Sequence, residues 1–285
     1  MKIKGGRRPV KSGIGNFINI FLLAFLGIFM VLPLVYITVT AFKPMDELFM
    51  FPPRFFVNNP TLNNFRSLSS VLSSSLVPIS RYVFNTVFIT IVATLGQMIV
   101  VSLAAFILEK RNFPGKNFLF SIVVTSLMFS PQVTAIPNYI IMSKINWLDT
   151  YQSLIVPAVA SSLGLFLMKQ FMCNIPDVLL EAARIDGAGE FRIFYQIVLP
   201  LVKPAWLTLI IFAFQSMWGI TGGNYIFTET YKPLNYALNQ IVNSGIARAG
   251  AAAAVQLLML IPPIAVFIIS QSSILETMAS SGIKE

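Results

Sequence analysis

The chain alternates long apolar runs with short polar interruptions. Six runs are long enough to cross a bilayer, over residues 17–41, 82–108, 117–140, 151–171, 204–226 and 251–275. A crossing helix needs about 20 mostly apolar residues. Unpaired backbone groups are costly in lipid, so each run is predicted to be helical. The pattern therefore predicts an all-α integral membrane protein with six transmembrane helices. The first run follows a basic arm (Lys2, Lys4, Arg7, Arg8, Lys11). It is longer than the apolar stretch of a signal peptide, about 7–15 residues, and no small-x-small cleavage site follows, so it is read as a retained span.

The polar interruptions orient the spans. Lys110, Arg111 and Lys116 follow the second run, and Arg184, Arg192 and Lys203 follow the fourth. With six spans these share one side with the basic arm. Lys43, Arg54, Arg66, Arg81, Lys144, Lys232 and Arg248 are spread more thinly over the other side. Positive charge concentrates in the cytoplasm, which places both termini there. The expected organisation is a cytoplasmic arm (1–16), a first span (17–41), an external loop (42–81), a five-span core (82–275) containing a cytoplasmic loop (172–203), and a cytoplasmic tail (276–285). The turn residues and aromatics of FPPRFFVNNPTLNNF predict an ordered external cap rather than a linker.

No Asp, Glu, Lys, Arg or His lies in the middle of a predicted span. Proton-coupled carriers and voltage sensors need such groups. The spans instead carry neutral polar and aromatic residues, of which Asn85, Gln97, Gln215, Trp218 and Asn224 are candidates to line a substrate pathway. Hydrogen bonds between helices, worth about 0.6–2 kcal/mol each, are the plainer use of the same residues. Thr221-Gly222-Gly223-Asn224 should disrupt the fifth span near its outer end. Pro33, Pro131, Pro137, Pro157, Pro262 and Pro263 interrupt spans, and each tends to kink a helix.

Composition narrows the function classes. Only 11% of residues are charged, against about 25% in ordinary soluble domains. The net charge of +9 flanks apolar runs and forms no dense basic patch with interleaved aromatics, so nucleic acid is not an expected partner. One cysteine, Cys173, and no histidine exclude an internal disulfide, a Cys/His metal site and a histidine general base. No catalytic residue and no metal site are predicted. FPGKNF lacks the first glycine and the Ser/Thr of a phosphate-cradling loop. Energy for uphill transport must then enter from a partner.

The segment IPDVLLEAARIDGAGEFRIFYQIVLP interrupts this apolar chain. Pro176 opens a helix, Asp177 and Glu181 put negative charge near its positive end, and Gly187 is a natural left-handed stop. A second short helix is predicted from about Glu190 to Val198, ended by Pro200. Val178, Leu179, Ala182 and Ile185 recur at helical spacing and make one face apolar. Lipid headgroups and a groove on a soluble partner both suit such a face.

Glu181-Ala182-Ala183, three residues, Gly187, nine residues, Ile197, one residue and Leu199-Pro200 resemble the EAA loop of permease subunits in bacterial ABC importers. NTVFIT (85–90), PNYIIMSKINWLDTYQSLIVP (137–157), FLMKQFM (166–172) and the terminal SGIKE resemble the carbohydrate-importer branch, in particular subunits like the second chain of the maltose permease. Members of that branch often carry a tryptophan, an aspartate or asparagine and a W-P-L-like run in the fifth span. QSMWGITGGNYIF stands here instead, so no sugar contact is carried over residue by residue.

The resemblance implies a permease subunit of an ATP-driven importer for a carbohydrate of oligosaccharide size. Its implied partners are a homologous second permease, two cytoplasmic ATPase subunits that bind ATP and Mg, and an extracellular solute-binding protein. Glu181, Ala182, Ala183 and Gly187 would couple ATPase closure to the membrane bundle, with Arg184 and Asp186 in polar rim contacts. The chain itself would hold no cofactor and would not be an enzyme. The alternatives are a stand-alone carrier or channel for a neutral polar solute, and an integral membrane enzyme, for which the chain lacks a reactive cluster.

Overall fold

The computed structural model describes residues 13–73, 77–245 and 248–281. The basic residues of the N-terminal arm and the last residues of the tail lie outside these. The regular secondary structure among the described residues is helical, with no strand among them. The helices are α1 (Gly13–Ala41), α2 (Met45–Leu48), α3 (Asn63–Ser73), α4 (Ile79–Lys110), α5 (Lys116–Ser126), α6 (Pro131–Lys144), α7 (Gln152–Val159) and α8 (Ser162–Cys173). They continue with α9 (Asp177–Ile185), α10 (Glu190–Leu201), α11 (Lys203–Trp218), α12 (Leu234–Val242) and α13 (Ala249–Ser281).

Four helical stretches are long and apolar enough to cross a membrane: Phe17–Ala41, Ile79–Lys110, Gln152–Cys173 and Ala249–Gln271. Two bent pairs raise the number to six if each pair is one span. The expected third run is not one straight helix. α5 and α6 meet at 111°, because Ser130 is extended ahead of Pro131 (φ −75°, ψ 150°), as a residue before proline prefers. The expected fifth run also differs. α11 stops at Trp218 and bends by 81° from α10. Beyond it Gly222 and Gly223 take left-handed φ values of 84° and 48°, so residues 219–226 are irregular at the place the glycine pair indicates. Pro262 and Pro263, by contrast, sit inside a helix that continues through them.

The chain divides into two compact units, residues 1–69 with 244–257 and residues 70–243 with 258–285. In the first unit residues 17–34 of the first span are all exposed within the chain, and Ala41 at its end is buried. The segment after it is ordered by polar contacts. The Glu47 carboxylate accepts from the amides of Asn58 and Asn59, both at 3.0 Å. The buried Asn64 amide donates to the carbonyls of Ala41 and Lys43 at 2.9 and 2.8 Å.

In the second unit α4 is the central helix, packed against α7, α8, α11 and α12. Two glycines permit close helix packing in this unit, one between α4 and α7 and one between α8 and α11. A Cβ on Gly96 would lie 2.8 Å from Val159, and one on Gly164 would lie 2.6 Å from Leu209. A continuous core of Val101, Ala105 and Phe106 from α4, Met168 and Met172 from α8, and Ile193, Phe194 and Val198 from α10 closes the end of the unit that carries α9.

Candidate functional site: the α9–α10 hairpin

Residues 176–201 fold as the sequence pattern directs. Pro176 is extended and precedes α9, with Asp177 in the first turn and Arg184 in the last. Such charges complement the helix dipole. α9 ends in a Schellman turn: the Ala188 amide donates to the Ala183 carbonyl at 2.9 Å, and the Gly187 amide to Arg184 at 3.0 Å. Gly187 occupies the left-handed position at φ 81°, where glycine has no steric penalty. The second helix runs past the expected end at Val198, to Leu201. Residues Phe194–Val198 form a π segment just before Pro200, which removes a donor from the regular ladder.

The two faces of α9 differ sharply. Leu180 and Ala183 are 1% and 8% exposed and belong to the core. Val178 and Ile185 are 71% and 85% exposed, and Leu179 is exposed beside them. Ala182 is also on the open face. The expected apolar stripe is therefore present and uncovered. Ala182 and Ala183 do not share a face: Ala183 packs inward while Glu181, Ala182, Asp186 and Gly187 face out.

Arg184 faces its own loop. Its Nε donates to Glu190 Oε1 at 2.9 Å, and Arg111 reaches the same oxygen at 2.5 Å. At the other end of α9, Lys110 Nζ meets Asp177 Oδ1 at 2.8 Å and the Ile175 carbonyl at 2.6 Å. The Lys110 hydrogen bond and charge hold the Asp177 carboxyl below its usual range. Glu109 pairs with Lys169 of α8 at 2.6 Å. In the sequence Lys110 and Arg111 stood out only as charges that orient the spans, and Glu109 had no role. Their signal was three charges in a row at the end of a long apolar run.

The five pathway candidates do not converge. Asn85 is fully buried. It donates to the Thr230 and Lys232 carbonyls at 2.9 Å and accepts from the Tyr151 hydroxyl at 2.7 Å. Gln97 is buried about 18 Å further along α4. Trp218 Nε1 donates to the Met259 carbonyl at 3.3 Å. That carbonyl is four residues before Pro263, which has no N–H to offer it, so Trp218 restores a helical bond that the proline removes. Gln215 and Asn224 are exposed. At the end of α4 opposite Lys110, the Tyr82 hydroxyl meets Glu229 at 2.6 Å and the Leu234 amide donates to Thr86 at 2.7 Å. Nearby, the Asp149 carboxylate caps the amides of Phe227 and Thr228 at 2.9 and 2.8 Å. Partial burial pushes the Asp149 pKa up, but the Thr228 hydroxyl, which also donates to the carboxylate, and the two amides outweigh it and hold the group below the usual range.

Residues 101–280 match the family model described as binding-protein-dependent transport system inner membrane component. The chain is 30% identical over 271 residues to the sn-glycerol-3-phosphate transport system permease protein UgpE of Yersinia enterocolitica, covering 92% of this chain and 94% of that one. It is 31% identical to the polygalacturonan/rhamnogalacturonan transport system permease protein YtcP of Bacillus subtilis, covering 78% and 76%. A crystal structure of a bacterial ABC transporter involved in the import of the acidic polysaccharide alginate contains a chain of the same fold. Its TM-score is 0.78 at 20% identity, over 94% of this chain and 99% of that one. The chain belongs to the family of binding-protein-dependent transport system inner membrane components and is a multi-pass membrane permease subunit.

Proposed function

We propose that the chain forms half of the translocation pathway of an ATP-driven importer for a carbohydrate. It spans the membrane six times with both termini cytoplasmic, counting α5–α6 as the third span and α11 with residues 219–226 as the fifth. Residues 42–81 then lie outside, and 172–203 lie in the cytoplasm between spans four and five. The observation that carries the reading is the uncovered apolar stripe of Val178, Leu179, Ala182 and Ile185, held out on a helix whose other face is fixed in the core. A helix presented this way fits a groove on a soluble partner.

That partner is an ATPase subunit, present twice in the assembly and holding the ATP and Mg. A homologous second permease completes the pathway, and an external binding protein delivers the solute. The chain is not itself an enzyme. Glu181, Ala182 and Gly187 form the outward surface, Asp186 its rim, and Ala183 and Arg184 hold the helix from behind. Gln215 and Asn224, the exposed pair among the polar candidates, are proposed to face the solute. Carbohydrate cargo is supported by the similarity to the polygalacturonan/rhamnogalacturonan transport system permease of Bacillus subtilis.

The test is purification of the tagged chain in mild detergent, followed by reconstitution and uptake of an oligosaccharide panel. Copurification of a second permease and an ATPase, with uptake that requires ATP, is the expected result. Uptake by the purified chain alone, without nucleotide, would establish the stand-alone carrier instead.

A further inference from the structure

We propose that Glu109, Lys110 and Arg111 are positioning residues that lock the α9–α10 hairpin to α4 and α8, so that force on α9 moves α4 instead of bending the loop. The inference rests on the coupling role proposed above. Each of the three consecutive residues holds a different element. Glu109 Oε2 pairs with Lys169 Nζ of α8 at 2.6 Å, with both side chains mostly buried. The Lys110 side chain is 4% exposed and ties down the start of α9 through Asp177 Oδ1 and the Ile175 carbonyl. Arg111 is extended (φ −118°, ψ 143°) and so reaches sideways to Glu190, at the first turn of α10. Glu190 in turn holds Arg184, in the last turn of α9. Both ends of α9 are therefore fastened to the foot of α4.

The turn between α9 and α10 has an open side for this bracing to offset. Its left-handed glycine has nothing within 4 Å of where its Cβ would be, and only the neighbouring Ala188 packs on the core. Pairs with an exposed partner such as Asp177 add little to stability, so fixing geometry is the better account of their placement. The opposite end of α4 is latched as well: Tyr82 to Glu229, Asn85 to the 230 and 232 carbonyls, and Thr86 to the Leu234 amide. α4 has 32 residues and spans about 48 Å. A displacement received at Lys110 is thus delivered to residues 229–234.

The test uses the chain copurified with its partner ATPase subunits in nanodiscs, with Cys173→Ser and a reporter thiol introduced by Thr230→Cys. Maleimide modification of that thiol is timed with and without ATP plus vanadate, alongside ATP hydrolysis. The nucleotide-dependent change in rate should fall about 2- to 30-fold in Lys110→Met with Glu190→Gln. It should also fall in Asp177→Asn, whose exposed side chain leaves folding intact. The ATPase should remain bound and active, and Lys110→Arg should keep the response. A full response in the disrupted variants overturns the clamp alone. No response in the otherwise unmodified chain overturns the coupling reading, and the clamp with it.

Discussion

Replacing Gly187 isolates the backbone contribution of the α9 turn. The residue sits at φ 81°, and an added Cβ would meet no atom within 4 Å. Any cost of substitution is therefore conformational. Left-handed geometry costs an L-residue about 1–2 kcal/mol, with β-branched side chains at the upper end or above. Gly187→Val should shift the equilibrium away from the Schellman turn by roughly tenfold or more, since 1.4 kcal/mol is a factor of ten. The bonds at stake are Ala188 to Ala183 and Gly187 to Arg184. Gly187→Asn should be close to neutral, because asparagine tolerates the left-handed region. The assay is ATP-dependent uptake by the reconstituted complex, with membrane insertion checked by expression and protease protection. Uptake should fall strongly for Val, partly for Ala and little for Asn. Normal uptake with Val, or equal loss with Asn and Val, would refute the argument.

Trp218→Phe should destabilise the protein by about 1–3 kcal/mol by leaving the Met259 carbonyl without its donor; in a Pro263→Ala background the same change should cost less, as thermal unfolding in a double-mutant cycle would report. Gly164→Val should lower the detergent melting temperature, costing about 1–3 kcal/mol, because its Cβ would press on Leu209, which is 1% exposed; an unchanged transition would refute the close approach. Asp149 has a depressed folded-state pKa, so its contribution is full above the unfolded value of about 3.9 and is lost as pH falls through the folded value. Amides 227 and 228 should accordingly lose hydrogen-exchange protection in strong acid relative to pH 7, and Asp149→Asn should weaken that pH dependence.

Much of this was legible in the sequence because membrane helices obey a length rule and short caps obey local chemistry. The α9 turn follows from Pro176, Asp177 and Gly187, and its uncovered stripe from the spacing of Val178, Ala182 and Ile185. What depended on tertiary contacts was not legible. Ala182 and Ala183 are adjacent in sequence, yet only packing against Phe194 and its neighbours decides that Ala183 turns inward. Asn85 and Trp218 look alike as polar residues in apolar runs, but their partners are carbonyls 145 and 41 residues away. The break between α5 and α6 was signalled by Pro131, but its 111° angle is not a local property. The Glu109-Lys110-Arg111 clamp was hidden because each partner lies on a different later helix.

The most direct measurement of the central claim is retention of the ATPase by a chain whose α9 stripe has been made acidic. Val178→Asp with Ile185→Asp changes two side chains that are 71% and 85% exposed, so the fold should be preserved and the detergent melting temperature unchanged. The account predicts that the doubly substituted chain inserts normally but no longer copurifies with the ATPase or supports nucleotide-driven import. Full retention of the ATPase together with normal import would contradict it.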